Sequence, residues 1–157
     1  MQDAHGLHKR MDGIRVVEEP VSKADFWPVG RRDKKTTGKT MKDADQIFAQ
    51  QWIDAWNSRD LEQILRHYAP EIEFLSPVAE KRLGNGRVVG LGALRGYWGP
   101  ALQAIPNLKF ELELVLSGAN CLTILYRNQN GARVAETMEL DDNRRVVRSY
   151  ACYSPPV

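Results

Sequence analysis

Little in this sequence supplies ready-made chemistry. Its 157 residues hold only two cysteines, Cys121 and Cys152. That is too few for a disulfide framework, and both read as small buried hydrophobes. Of three histidines, His5 and His8 precede the organised part of the chain, and His67 stands alone beside Tyr68. A single histidine offers neither a metal-ligand cluster nor an acid/base pair, so no metal site is expected, and His67 reads as a surface or helix-end residue. No apolar run approaches the ~18 residues of a membrane span, and the first thirty residues lack the apolar stretch of an export signal. A cytoplasmic protein with no membrane partner is expected. There is no strong charge of either sign: 22 Lys/Arg stand against 20 Asp/Glu, a net charge of +2. The excess lies in residues 1–40, with nine basic against six acidic residues; the remainder is close to neutral. Nucleic acid is therefore not an expected ligand, since affinity there is built on many phosphate contacts. Gly38-Lys39-Thr40 ends like a phosphate-binding loop, but Asp33 stands where the first glycine is required.

What is present is organised from about residue 43. Residues 1–42 show almost no apolar periodicity and carry the run Arg31-Arg32-Asp33-Lys34-Lys35, which predicts a flexible basic arm. Asp43 and Gln46 are spaced as a capping box, and Phe48, Trp52, Ala55 and Trp56 recur at helical spacing. Asp60 caps a second helix, with Leu61, Ile64, Leu65 and Tyr68 on its apolar face. Glu71 to Pro77 reads as a short strand with Ile72, Phe74 and Ser76 on one side, and residues 80–90 as a polar, glycine-rich loop. A third helix carries Leu91, Leu94, Tyr97, Trp98, Leu102 and Ile105, with a kink near Pro100. From Leu108 to Leu116 every even position is apolar, so those residues should face the core and Lys109, Glu111 and Glu113 the other side. Strands follow over Cys121–Arg127, Arg133–Leu140 and Arg145–Tyr153, with Asn130-Gly131 placed for a type I′ hairpin. Residues 154–157 form a short tail. Helices gathered on one face of an antiparallel sheet define an α+β fold: three helices on a curved, mostly antiparallel sheet, with a pocket where the sheet bends away.

Four stretches, Phe48–Asp60, Tyr68–Pro77, Val89–Trp98 and the closing strands, resemble the SnoaL-like branch of the nuclear-transport-factor-2-like superfamily over about residues 43–153. The resemblance implies a cone-shaped, cystatin-like fold with an apolar pocket. It also implies a homodimer through the outer face of the sheet, with Lys109, Glu111 and Glu113 at or near the interface. Relatives include ketosteroid isomerases, polyketide cyclases, epoxide hydrolases and scytalone dehydratases, and fold alone does not choose among them. Compared with the isomerases, Trp52 stands in place of the first oxyanion-donating tyrosine, Ser76 in place of the aspartate base, and Glu136 in place of the second, protonated oxyanion donor. Cofactor-independent isomerase, cyclase or hydratase chemistry on an apolar or aromatic metabolite is one implication. A non-catalytic binding or dimerisation module is the other.

Glu136 is the candidate catalytic residue, because it shares strand parity with Met138 and Leu140. A carboxyl facing a pocket with them would be desolvated and partly protonated. The competing reading pairs it with an arginine or leaves it at a wet mouth. Trp52, Trp56, Phe74, Ser76, Tyr97, Trp98, Tyr126, Met138 and Tyr153 are the expected pocket lining, with ordinary core packing the alternative for each. Tyr97 and Ser76 would supply hydrogen bonds. No cofactor is expected.

Overall fold

The computed structural model describes residues 41–155; the basic arm lies outside these, apart from its last two residues. Four helices and six strands follow in the order α1 (Met41–Ser58), α2 (Leu61–Leu65), β1 (Tyr68–Leu75), α3 (Pro77–Leu83), β2 (Arg87–Val89), α4 (Leu91–Ala104), β3 (Glu111–Gly118), β4 (Cys121–Arg127), β5 (Arg133–Leu140) and β6 (Val146–Tyr153). The strands form one curved, unclosed sheet in the order β2-β1-β6-β5-β4-β3. All pairings are antiparallel except β1 with β6. The helices bury Trp52, Ile53, Ile64, Leu94 and Trp98 against Ile72, Leu122, Ile124, Val134 and Met138 of the sheet.

Asp60 caps α2, its carboxylate accepting from the amides of Glu62 and Gln63. Asp43, in contrast, lies within α1 rather than before it, because the helix starts at Met41. Tyr68 does not continue α2 but opens β1. The polar stretch after Pro77 is also more ordered than its composition suggests. Ser76 Oγ accepts from Val78 N at 3.2 Å, Pro77 takes the first helical position, and Gly84 closes α3 at φ +70°. These are the usual start and stop devices of a helix.

Two irregularities decide which side chains face where. The first is a bulge in β3, where Leu112 pairs with Tyr126 but Leu114 with Leu125, leaving Glu113 as an extra residue. One inserted residue swaps the faces of everything beyond it. Leu114 and Leu116, expected in the core, are 49% and 55% exposed, and Val115 packs inward instead. Glu113 is held beside the sheet by Arg127 and Arg133. The second is the β4–β5 turn. Asn130 does not have the positive φ that a type I′ turn requires; only Gly131 does, at +76°. The loop is longer, with Gly131 N donating to Asn128 O and Asn128 N to Ala132 O. The cysteines also depart from expectation: both are free thiols, Cys121 half-buried and Cys152 exposed. Their strand positions put them on the outer side of the sheet, opposite Leu122 and Ala151.

Candidate functional site

A cavity of about 270 Å³ lies between the sheet and helices α1, α3 and α4. Eight of the ten residues expected at the pocket line it: Trp52, Trp56, Phe74, Tyr97, Trp98, Tyr126, Glu136 and Tyr153. Ser76 and Met138 do not. Ser76 caps α3, its hydroxyl beside Tyr97 and Tyr153 rather than in the lining itself, and Met138, fully buried, packs in the core rather than facing the cavity. Parity placed Met138 on the correct face of β5 but could not say where along it the cavity ends.

The rings form a continuous set. Trp56 meets Trp98 edge-on at 4.9 Å between centroids, Phe74 meets Trp98 at 5.4 Å, and Phe110 meets Tyr126 at 4.5 Å. Such geometries match the quadrupoles of the rings and leave a rigid, apolar lining. Phe110, Ile105 and Leu108 come from the connection between α4 and β3, which the sequence reading did not assign to the site. Val78 and Arg82 come from α3, one helical turn apart and so on one face. The Ser76-Pro77 start and Gly84 stop were the signals that could have found them. Asn128, Gln129 and Asn130 line the cavity because the β4–β5 loop is longer than a two-residue hairpin.

Glu136 sits in the middle of β5 opposite Ile124 and Ala151, and is only 3% exposed. Among the described residues it makes no ion pair. Its one hydrogen-bond partner is the Ser149 hydroxyl, which donates to Oε1. Burial pushes its pKa up from 4.5 to about 7, and the Ser149 bond holds back part of that rise. A carboxyl poised near neutrality can both give and take a proton. Phenols surround it. Burial, reinforced by the Glu136 charge, pushes Tyr68 and Tyr126 well above the usual tyrosine value and Tyr153 up to about 12. These remain neutral donors wherever Glu136 titrates.

Trp52 does not offer its indole N–H to the cavity. That group donates to the Tyr68 hydroxyl at 2.8 Å. The Trp56 N–H is within electrostatic reach of the same oxygen but outside hydrogen-bonding geometry, and so is left buried without an acceptor. Tyr68, read from sequence as helix core, is therefore a polar element beside the site. His67 packs edge-on against Phe48 at 5.4 Å, with Nδ1 3.1 Å from Gln63 O. It is not among the cavity residues. Among the described residues no helix is long and apolar enough to cross a membrane.

The model of the SnoaL-like domain family matches residues 49–151. A SnoaL-like protein of unknown function from Burkholderia thailandensis E264 is 39% identical, over 70% of this chain and 93% of its own, with a TM-score of 0.69. A steroid delta-isomerase from Pseudomonas aeruginosa is 17% identical, over 71% of this chain and 80% of its own, at 0.55. TerC, co-crystallised with polyporic acid, is 12% identical, over 70% and 91%, at 0.58. The last two are alike in fold alone. No curated protein matches the chain.

Proposed function

The chain belongs to the SnoaL-like domain family, and on that premise we propose that its cavity binds a small apolar or aromatic metabolite with which Glu136 exchanges a proton, in cofactor-independent isomerase, cyclase or hydratase chemistry. The observation that carries this reading is a carboxyl buried in a wall of aromatic rings, with no cationic partner among the described residues and its pKa pushed up by that burial to about 7. Desolvation keeps it basic enough to take a proton when ionised, and the neighbouring phenols can stabilise charge developing on a bound oxygen. Trp52 keeps its N–H for Tyr68, and Ser76 acts at one remove, its hydroxyl starting α3 and standing beside Tyr97 and Tyr153.

β-Tetralone, a benzo-fused cyclic ketone with acidic benzylic α-hydrogens, is a suitable probe. The wild type in heavy water is expected to speed deuterium entry at the α-carbon, and Glu136→Gln to abolish that acceleration. Binding of the ketone without acceleration would instead assign the protein to the second reading, a non-catalytic ligand-binding module, which the loss of an aspartate base at position 76 favours.

The outer face of the sheet is proposed as a homodimer interface. Leu114, Leu125, Ala135 and Cys152 are register partners across β3 to β6, and Leu116 begins a row through Thr123, Thr137 and Tyr150. The bulge at Glu113 puts the two leucines on this face, so they join Lys109 and Glu111, which precede the bulge, as its expected contacts.

A further inference from the structure

Besides Glu136, the cavity carries a second group of polar side chains: Arg82 from α3, and Tyr97 and Tyr153, whose phenols lie beside the Ser76 hydroxyl. Among the described residues Arg82 makes no ion pair, although the other arginines that flank the sheet do. Both phenols feel two opposed charges: Glu136 adds to the rise that burial imposes on each, and Arg82 eases it. Glu136 itself responds to its burial and to Ser149, not to Arg82. The guanidinium therefore acts on the phenols rather than neutralising the carboxyl.

Hydrogen-bond capacity around these phenols is also limited. A serine hydroxyl has one proton and two lone pairs. One lone pair of Ser76 is taken by the amide of Val78 at 3.2 Å. The other can accept from Tyr97 or from Tyr153, so Ser76 does not serve as acceptor for both. A cation and phenol donors lining one aromatic cavity are complementary to an oxyanion.

We propose that Arg82, Tyr97 and Tyr153 form an anion-recognition subsite, so that the ligands of this cavity are aromatic or alicyclic molecules bearing a carboxylate or a comparable oxyanion. The anionic group sits between the guanidinium and the phenols. The ring body lies along Trp98 and Trp56, and points the remainder of the molecule toward Glu136. The subsite rests on the reading of the cavity as a ligand pocket, and deepens it by naming the ligand class.

Calorimetric titration of the full chain with naphthoate and with naphthamide tests this, because the two differ in charge but little in shape. The wild type is expected to bind the acid at least about tenfold more tightly, the factor one charge-assisted hydrogen bond supplies. Arg82→Gln, an exposed substitution on α3 whose folding is checked by circular dichroism, is expected to bring the two affinities together, and Tyr153→Phe to narrow the gap. Equal affinity of the wild type for acid and amide would overturn the subsite and leave the pocket reading standing. A preference that survives both substitutions would do the same. Binding of neither probe by the wild type would overturn the pocket reading and the subsite with it.

Discussion

Replacing Glu136 by glutamine should make the protein more stable at high pH, and the size of the gain follows from its burial. An unfolded glutamate titrates near 4.5, whereas the folded one titrates at about 7. Between these values the native state holds a proton that the unfolded state has lost. The sign is therefore fixed: the neutral carboxyl's full contribution is present below pH 4.5 and is lost as pH rises through 7. At ~1.4 kcal/mol per pKa unit the gap corresponds to about 3 kcal/mol. Glutamine keeps the size and the hydrogen bond with Ser149 but cannot ionise. The stability difference, mutant minus wild type, should thus grow by about 3 kcal/mol between pH 4 and pH 8, which is on the order of 10 °C in melting temperature for a domain this size. Urea denaturation of both proteins across that range measures it. His67, whose pKa burial lowers, destabilises both proteins alike as pH falls and cancels in the difference. A difference that does not change with pH would refute the reasoning, because it would mean that Glu136 reaches water or a cation in solution.

Ser149→Ala should raise the Glu136 midpoint above 7, since the lost hydrogen bond favours the ionised form; a carboxyl NMR titration reads this. Tyr68→Phe should cost about 1–3 kcal/mol by leaving the buried Trp52 N–H without an acceptor, measured by denaturation at neutral pH. Met138→Ala should cost about 2–5 kcal/mol as a core cavity and leave naphthoate affinity within a factor of about two, because Met138 packs away from the ligand cavity. Leu114→Lys together with Leu116→Glu should convert a dimer to a monomer in analytical ultracentrifugation without lowering the melting temperature of the protomer.

The strands β4 and β5 were legible residue for residue, because strict alternation over Cys121–Arg127 and Arg133–Leu140 meets no irregularity that shifts their shared register. That regularity also placed Glu136 on the inner face. β3 shows the opposite case. Its alternation is as clear, yet the bulge at Glu113 swaps the faces beyond it. Nothing local in the sequence marks it, because a bulge belongs to the pairing of two strands and the alternation of one strand does not record it. The aromatic lining could be read from composition and helical spacing, since large rings must be buried somewhere in a domain this small. Arg82 is hidden for a different reason. The composition of residues 80–90 reads as a loop, and only Ser76 before Pro77, with Gly84 seven residues on, marks the start and stop of α3. Tyr68 is ambiguous because its spacing fits the face of α2 as well as the start of β1.

Glu136 is the centre of the account, and its titration is the most direct test. With glutamate carboxyl carbons labelled and Glu136→Gln used for assignment, NMR titration of the folded protein should show one carboxyl with a midpoint at about 7. A midpoint near the ordinary 4.5 would contradict the account, since it would mean that Glu136 reaches water or a cation and is not the desolvated, unpartnered carboxyl on which the proposed chemistry rests.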